Sequence, residues 1–115
     1  SGPIRKKLYV VGDFSDSAWQ HQDHRQFEYK GDGVYQVVTN EKPGSYRMQY
    51  AAKTWTPQFT AKGLSLKLGQ DNPLIKGGYG KDTAVTIMAE GRYVWSLQFD
   101  QQGTPLKVMA SKCAE

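Results

Sequence analysis

The alternation that runs from Tyr93 through Trp95, Leu97 and Phe99 constrains this chain most. A two-residue apolar period belongs to a strand that buries one face, and no helix can satisfy it. The same period returns elsewhere. Phe27 and Tyr29 alternate with Gln26 and Glu28, and Tyr46, Met48 and Tyr50 with Arg47 and Gln49. Leu64, Leu66 and Leu68 alternate with Ser65 and Lys67. Shorter stretches at Leu8 to Val11, Val34 to Val38, Thr83 to Met88 and Leu106 to Ala110 also read as strands. Turn signals separate them: Lys30-Gly31-Asp32-Gly33 between two arms of a hairpin, then Glu41 to Gly44, Glu90-Gly91 and Gln101 to Pro105. Two longer segments, Gly12 to His24 and Gly69 to Lys81, read as polar loops.

About eight short strands, with no amphipathic helix and no internal repeat, make an all-β chain. The longest strands each carry one clearly apolar face, which favours a two-sheet immunoglobulin-like antiparallel β-sandwich over a closed barrel. Trp95 is in phase with the core face, and so are Tyr46, Met48 and Tyr50. At 115 residues the chain is one domain. Residues 4–110 are the expected sandwich, 111–115 a tail or linker, and Ser1-Gly2-Pro3 reads as an expression scar.

Several function classes lose support from the sequence. The formal net charge is +4, but only Arg5-Lys6-Lys7 is a basic cluster, so no nucleic-acid-binding face is expected. No apolar run approaches the roughly 20 residues of a membrane-spanning helix. Cys113 is the single cysteine and excludes an internal disulfide. His21 and His24 share a loop with Asp23, but two histidines are too few for a structural zinc site, and both read as solvated loop residues. Asp13 and Asp16 lack the calcium-loop spacing. No G-x-S-x-G motif, phosphate-binding loop or dinucleotide fingerprint occurs. The acidic residues lie mainly in turns, without a pocket to tune a pair for hydrolysis. No enzyme, no cofactor and no metal are expected.

The segment from Gly44 to Trp55 points to binding. Its strand ends in two small residues, and Lys53, Thr54 and Trp55 then precede Pro57. A tryptophan just past a strand end offers a flat stacking face, and a sugar ring, with its face of axial C–H bonds, is the leading ligand. Lys53 would bond ring hydroxyls. Trp19, in a polar loop, either stacks beside Trp55 or plugs the end of the sandwich. Tyr79 follows two glycines and is either a third ring of the site or a loop anchor. Lys81 and Asn72 are further polar candidates.

The order of these segments resembles the starch- and glycogen-binding β-sandwich modules attached to α-amylase and pullulanase-type enzymes. Tyr9 to Phe14, with Trp19 beyond, looks like the opening strand and loop of those modules. Gly31-Asp32-Gly33-Val34-Tyr35 is similar to their hairpin, and Pro43 to Met48 to their next strand. Lys53-Thr54-Trp55 falls where a binding tryptophan is frequent, and Gly91 to Asp100 matches the closing strand. Ser15, Asp16 and Tyr79 stand where asparagine is usual. The resemblance covers roughly residues 8–109. It implies a non-catalytic, monomeric carbohydrate-binding module for α-glucan (starch, glycogen, pullulan or maltooligosaccharides). It also implies a catalytic domain in the same chain and a location that is extracellular, on the cell surface or periplasmic. The alternative is a structural spacer whose tryptophans pack on a neighbouring domain.

Overall fold

The computed structural model describes residues 2–114. Ser1 and Glu115, the outer ends of the expected scar and tail, lie outside the described residues. Among the described residues ten strands follow one another: β1 (Tyr9–Gly12), β2 (Glu28–Gly31), β3 (Val34–Glu41), β4 (Gly44–Ala51), β5 (Gln58–Ala61), β6 (Ser65–Leu66), β7 (Asn72–Lys76), β8 (Thr83–Ile87), β9 (Gly91–Phe99) and β10 (Pro105–Lys112). One 3-10 turn, Asp23–Arg25, interrupts the loop after β1.

The strands form a β-sandwich. One layer runs β2-β3-β9-β10, and the other contains β4 with β1, β5, β8 and β6. Strand β7 belongs to both layers. Its first residues, Asn72 and Pro73, pair with Val108 and Lys107 of β10, while Leu74, Ile75 and Lys76 pair with Ala61, Thr60 and Phe59 of β5. All strand pairings are antiparallel except β6 with β8.

The core lies between the layers and is built by the period-2 pattern. On β9, Tyr93, Trp95, Leu97 and Phe99 are buried, and they meet Val10 of β1, Met48 and Tyr50 of β4 and Val85 of β8. Each large apolar side chain so buried contributes about 1.5–3 kcal/mol. Trp95 satisfies its indole N–H by donating to Thr39 Oγ1 at 2.8 Å. Tyr50 is fully buried, which pushes its phenol far above the usual range, and its hydroxyl has no hydrogen-bond partner among the described residues.

The loop between β1 and β2 is less polar inside than its sequence implies. Phe14, Ser17 and Arg25 are buried. Arg25 is 1% exposed and Glu41, at the end of β3, 3%. The guanidinium donates to both carboxylate oxygens of Glu41, at 2.7 and 3.0 Å, and lies 3.9 Å above the centre of the Phe14 ring. It also donates to Asp16 at 3.0 Å, and Thr39 donates to Glu41 at 2.6 Å. This fork fixes the long loop against the sheet edge.

Some expectations need correction. Gln58–Ala61 and Asn72–Lys76 are strands, the second inside what reads as a polar loop. Leu64 does not continue an alternating strand: it sits at φ 59° with its side chain exposed, and the strand there is only Ser65–Leu66. Tyr46 is half-buried, with its hydroxyl donating to Lys42 O at 2.7 Å. Strand β10 runs past Ala110 to Lys112, and Cys113 N still donates to Arg92 O at 2.8 Å.

Replacing Glu41 by Leu leaves a buried guanidinium without its main partner. The expected loss of unfolding free energy is about 3–5 kcal/mol, and the double substitution Arg25→Met with Glu41→Leu should recover most of it. Urea unfolding of the three variants checks this. Tyr50→Phe removes an unpaired buried hydroxyl and should leave the midpoint unchanged or raise stability by about 1 kcal/mol.

Candidate functional site

The site begins with strands that are buried on both faces. In β1, Val10 faces the core, while Tyr9 and Val11 lie on the other side of the sheet with Ala51 of β4. Tyr9 pairs with Ala51 and Val11 with Gln49, so these residues form one patch on the outer face. Gly12 ends β1 so close to β4 that a Cβ there would collide with Arg47 O and Met48. Trp19 and Trp55 pack over the patch from two different loops.

Both tryptophans have left-handed backbones, φ 66° for Trp19 and 63° for Trp55. That conformation costs about 1–2 kcal/mol per non-glycine residue and needs support from its surroundings. Trp19 N donates to Gly12 O at 2.7 Å, and Ser17 Oγ donates to the same carbonyl at 2.7 Å. Trp55 N donates to Ala52 O at 2.8 Å, and Ala52 N to Pro57 O at 3.1 Å. Lys6 clamps the same loop from outside, donating to Thr54 Oγ1 at 3.0 Å and Thr56 O at 3.1 Å. The indoles end 6.5 Å apart, inclined at 45°.

His21 stands behind them and was not legible as part of the site. It is half-buried, with its ring edge-on to Trp55 at 5.0 Å and to Tyr9 at 5.4 Å. The expectation of a solvated loop residue fails for His21 because its Nε2–H finds the Ala52 carbonyl at 2.8 Å. His24 is exposed and bonds Asp16 at 3.0 Å, so the two histidines serve different partners. Burial is the main cause that lowers the His21 pKa, with the Lys53 charge acting the same way, and the Ala52 bond opposes them.

Opposite the tryptophans, residues 77–82 form the second wall. Lys81 N donates to Gly78 O at 3.1 Å, closing a turn with Tyr79 and Gly80 at its tip. Gly80 takes φ 77°, which a turn of this kind demands at its third residue. Tyr79 is fully exposed. Between the walls is a cavity of about 570 Å³ lined by Trp19, Trp55, Gln49, Gln58, Tyr79 and Asp82, with the Gly78 and Gly80 backbone.

Of the six residues singled out in the sequence, Trp19, Trp55 and Tyr79 therefore meet at one cavity. Lys53 and Lys81 are exposed on its two flanks and do not line it; Lys53 Nζ lies 5.8 Å from the centre of the Tyr9 ring. Asn72 is elsewhere, at the far end of β7, with its amide donating to Gln70 O at 3.0 Å. Gln49, Gln58 and Asp82 complete the lining. Gln49 stands on the polar phase of β4, where a glutamine looks like a solvated outer residue. Gln58 and Asp82 gave no signal.

Flat rings on both sides of a shallow cleft, with amides and a carboxylate between, suit a ligand that has apolar faces and hydroxyl edges. No family model matches the sequence, and no curated protein does. Among solved structures, the ligand-induced structure of AmyP-SBD, a starch-binding domain, is 54% identical and superposes with a TM-score of 0.78. The match covers 99% of this chain and 76% of that one. The chain belongs to the starch-binding domain family. It is a carbohydrate-binding module of β-sandwich fold and not an enzyme, in line with the expectation from its sequence.

The low His21 pKa links the site to acid. The imidazole is favoured neutral in the folded chain, so its contribution to stability is complete above the ordinary value of about 6.5. That contribution is lost as pH falls through the lower folded value. Urea midpoints of wild type and His21→Gln should therefore converge between pH 7.5 and pH 5.

Proposed function

We propose that the cleft binds α-glucan, with glucose rings stacking on Trp55 and Trp19 and Tyr79 closing on the ligand from the opposite side. The observation that carries this reading is the meeting of three aromatic rings from three separate loops at one cavity. Exposed Tyr79 has no packing role to explain it. Gln58 and Asp82 are placed to bond hydroxyls, and Lys53 and Lys81 can reach only a longer chain that overhangs the flanks. The identity with a starch-binding domain supports the same ligand class.

The site is shallow and its polar groups compete with water. Affinity for one site is expected in the roughly micromolar to millimolar range, about −4 to −8 kcal/mol. A catalytic domain tethered in the same chain would gain from such a module through effective concentration on polymeric substrate. Because polymeric starch is met outside the cell, the reading extends to an extracellular, cell-surface or periplasmic location and to a monomeric module in the same chain as a catalytic domain.

Affinity electrophoresis in gels containing soluble starch tests the reading. Wild type should be retarded. Trp55→Ala should lose about 2 kcal/mol of binding, roughly 30-fold in Kd, and Tyr79→Ala about 1 kcal/mol. A folded wild type that migrates freely would instead favour the spacer reading, in which Trp19 and Trp55 pack on a neighbouring domain.

A further inference from the structure

Gln49 is the floor of the cleft, and its bonds run to one wall only. It lies on the outer face of β4 opposite Val11, beside the patch that the tryptophans cover, and is 3% exposed. Its Nε2 donates to Gly78 O at 2.8 Å and to Asp82 Oδ1 at 2.9 Å, while Oε1 accepts from Gly78 N at 3.3 Å. The two Nε2 acceptors cannot donate, which fixes the orientation of the amide. Both N–H groups are thus used on the 77–82 turn, and neither remains for a ligand.

The turn has few other ties. Gly77 N donates to Gln58 O at 2.9 Å, and strand pairing resumes where Thr83 meets Met48. Among the described residues, no other side-chain hydrogen bond joins residues 78–82 to β4. Gly77 is part of the same device, because a Cβ there would collide with Gln49 Oε1. A methyl group there would displace the Gln49 amide, with no unusual φ involved.

We infer that Gln49 is a positioning residue that sets the gap between the Trp19–Trp55 wall and the Tyr79 turn. The inference rests on the glucan-binding reading. Gln49 acts through Tyr79 and Asp82, with no N–H left to give the sugar, and its amide gives the turn a partner in place of the strand pairing it lacks. A residue with this role affects affinity only while Tyr79 is present to be positioned.

The experiment is calorimetric titration with maltoheptaose of wild type, Gln49→Glu, Tyr79→Ala and the double variant, each at pH 7 and pH 4.5. Gln49→Glu keeps the shape, removes both donors and sets a carboxylate against Asp82. Arg47 on the same face of β4, Lys76 and Lys81 at the turn, Lys53 beside Trp55 and His21 against the Trp55 ring are the other charged or titratable groups near the site, so each variant is compared with wild type at the same pH. At pH 7 it should weaken binding roughly tenfold. Two adjacent carboxyls take up a shared proton well above the ordinary carboxylate range, which restores a donor. At pH 4.5 the variant should therefore approach wild type to within about threefold. In the Tyr79→Ala background the same substitution should cost nothing further. Wild-type affinity at both pH values, an equal loss at both, or a full loss in the Tyr79→Ala background would each overturn the role. If Gln49→Glu does not fold, Gly77→Ala takes its place, with the same weakening expected and the same dependence on Tyr79. A wild type that does not bind maltoheptaose refutes the glucan reading itself. A wild type that binds beside an unaffected Gln49→Glu refutes only the positioning.

Discussion

Strand β1 and the end of β4 are apolar on both faces, and much of the molecule follows from covering the second one. The inner face is covered by the opposite layer of the sandwich. The outer patch of Tyr9, Val11 and Ala51 has no third layer above it. Two loops do the work, each laying a tryptophan on the patch. An indole is large enough to cover such a patch with one side and leave atoms on its other side for a cleft. The fold and the candidate site are therefore two uses of the same pair of rings.

The covering loops are held in conformations that cost free energy. Left-handed tryptophans and a buried ion pair both work against stability, by about 1–2 kcal/mol for each backbone and several for desolvating the charges. What offsets this is specific bonding. The Arg25–Glu41 fork holds the loop that carries Trp19, and Lys6 holds the loop that carries Trp55. Rings fixed before the ligand arrives lose little freedom on binding, which matters for a shallow surface with few contacts. The Tyr79 wall is built differently, on a short glycine-flanked turn with one buried amide behind it.

The β-sandwich was legible because its core strands obey a period that burial enforces. Trp95 and Leu97 could be placed from spacing alone. Strands β5 and β7 escaped for physical reasons. Strand β7 carries Asn72 and Pro73 and crosses from one layer to the other, so neither sheet imposes a full alternation on it. Leu64 misled because an exposed leucine in a turn is indistinguishable in sequence from a strand residue. At the site, Trp19, Trp55 and Tyr79 were visible as aromatic rings next to loop signals. Gln49 was not, because alternation reports which face a residue is on and not whether that face is covered. Arg25 and Glu41 were hidden likewise: two charged residues 16 apart reveal a pairing only when the fold brings them together.

The placement of charge bears on what kind of ligand the cleft suits. The chain carries a net charge of +4, yet among the described residues no lysine or arginine lines the cavity, and its one carboxylate is Asp82. Lys53 and Lys81 stand in solvent on the flanks, where salt screens them. Attraction for an anionic polymer would therefore come from the rim and fade with ionic strength, whereas stacking on the rings would not. A neutral polymer with apolar faces uses the interior of the cleft and gains no long-range charge attraction from the rim. Basic residues kept outside an aromatic cleft thus favour an uncharged glucan over an acidic polysaccharide, although the protein as a whole is basic.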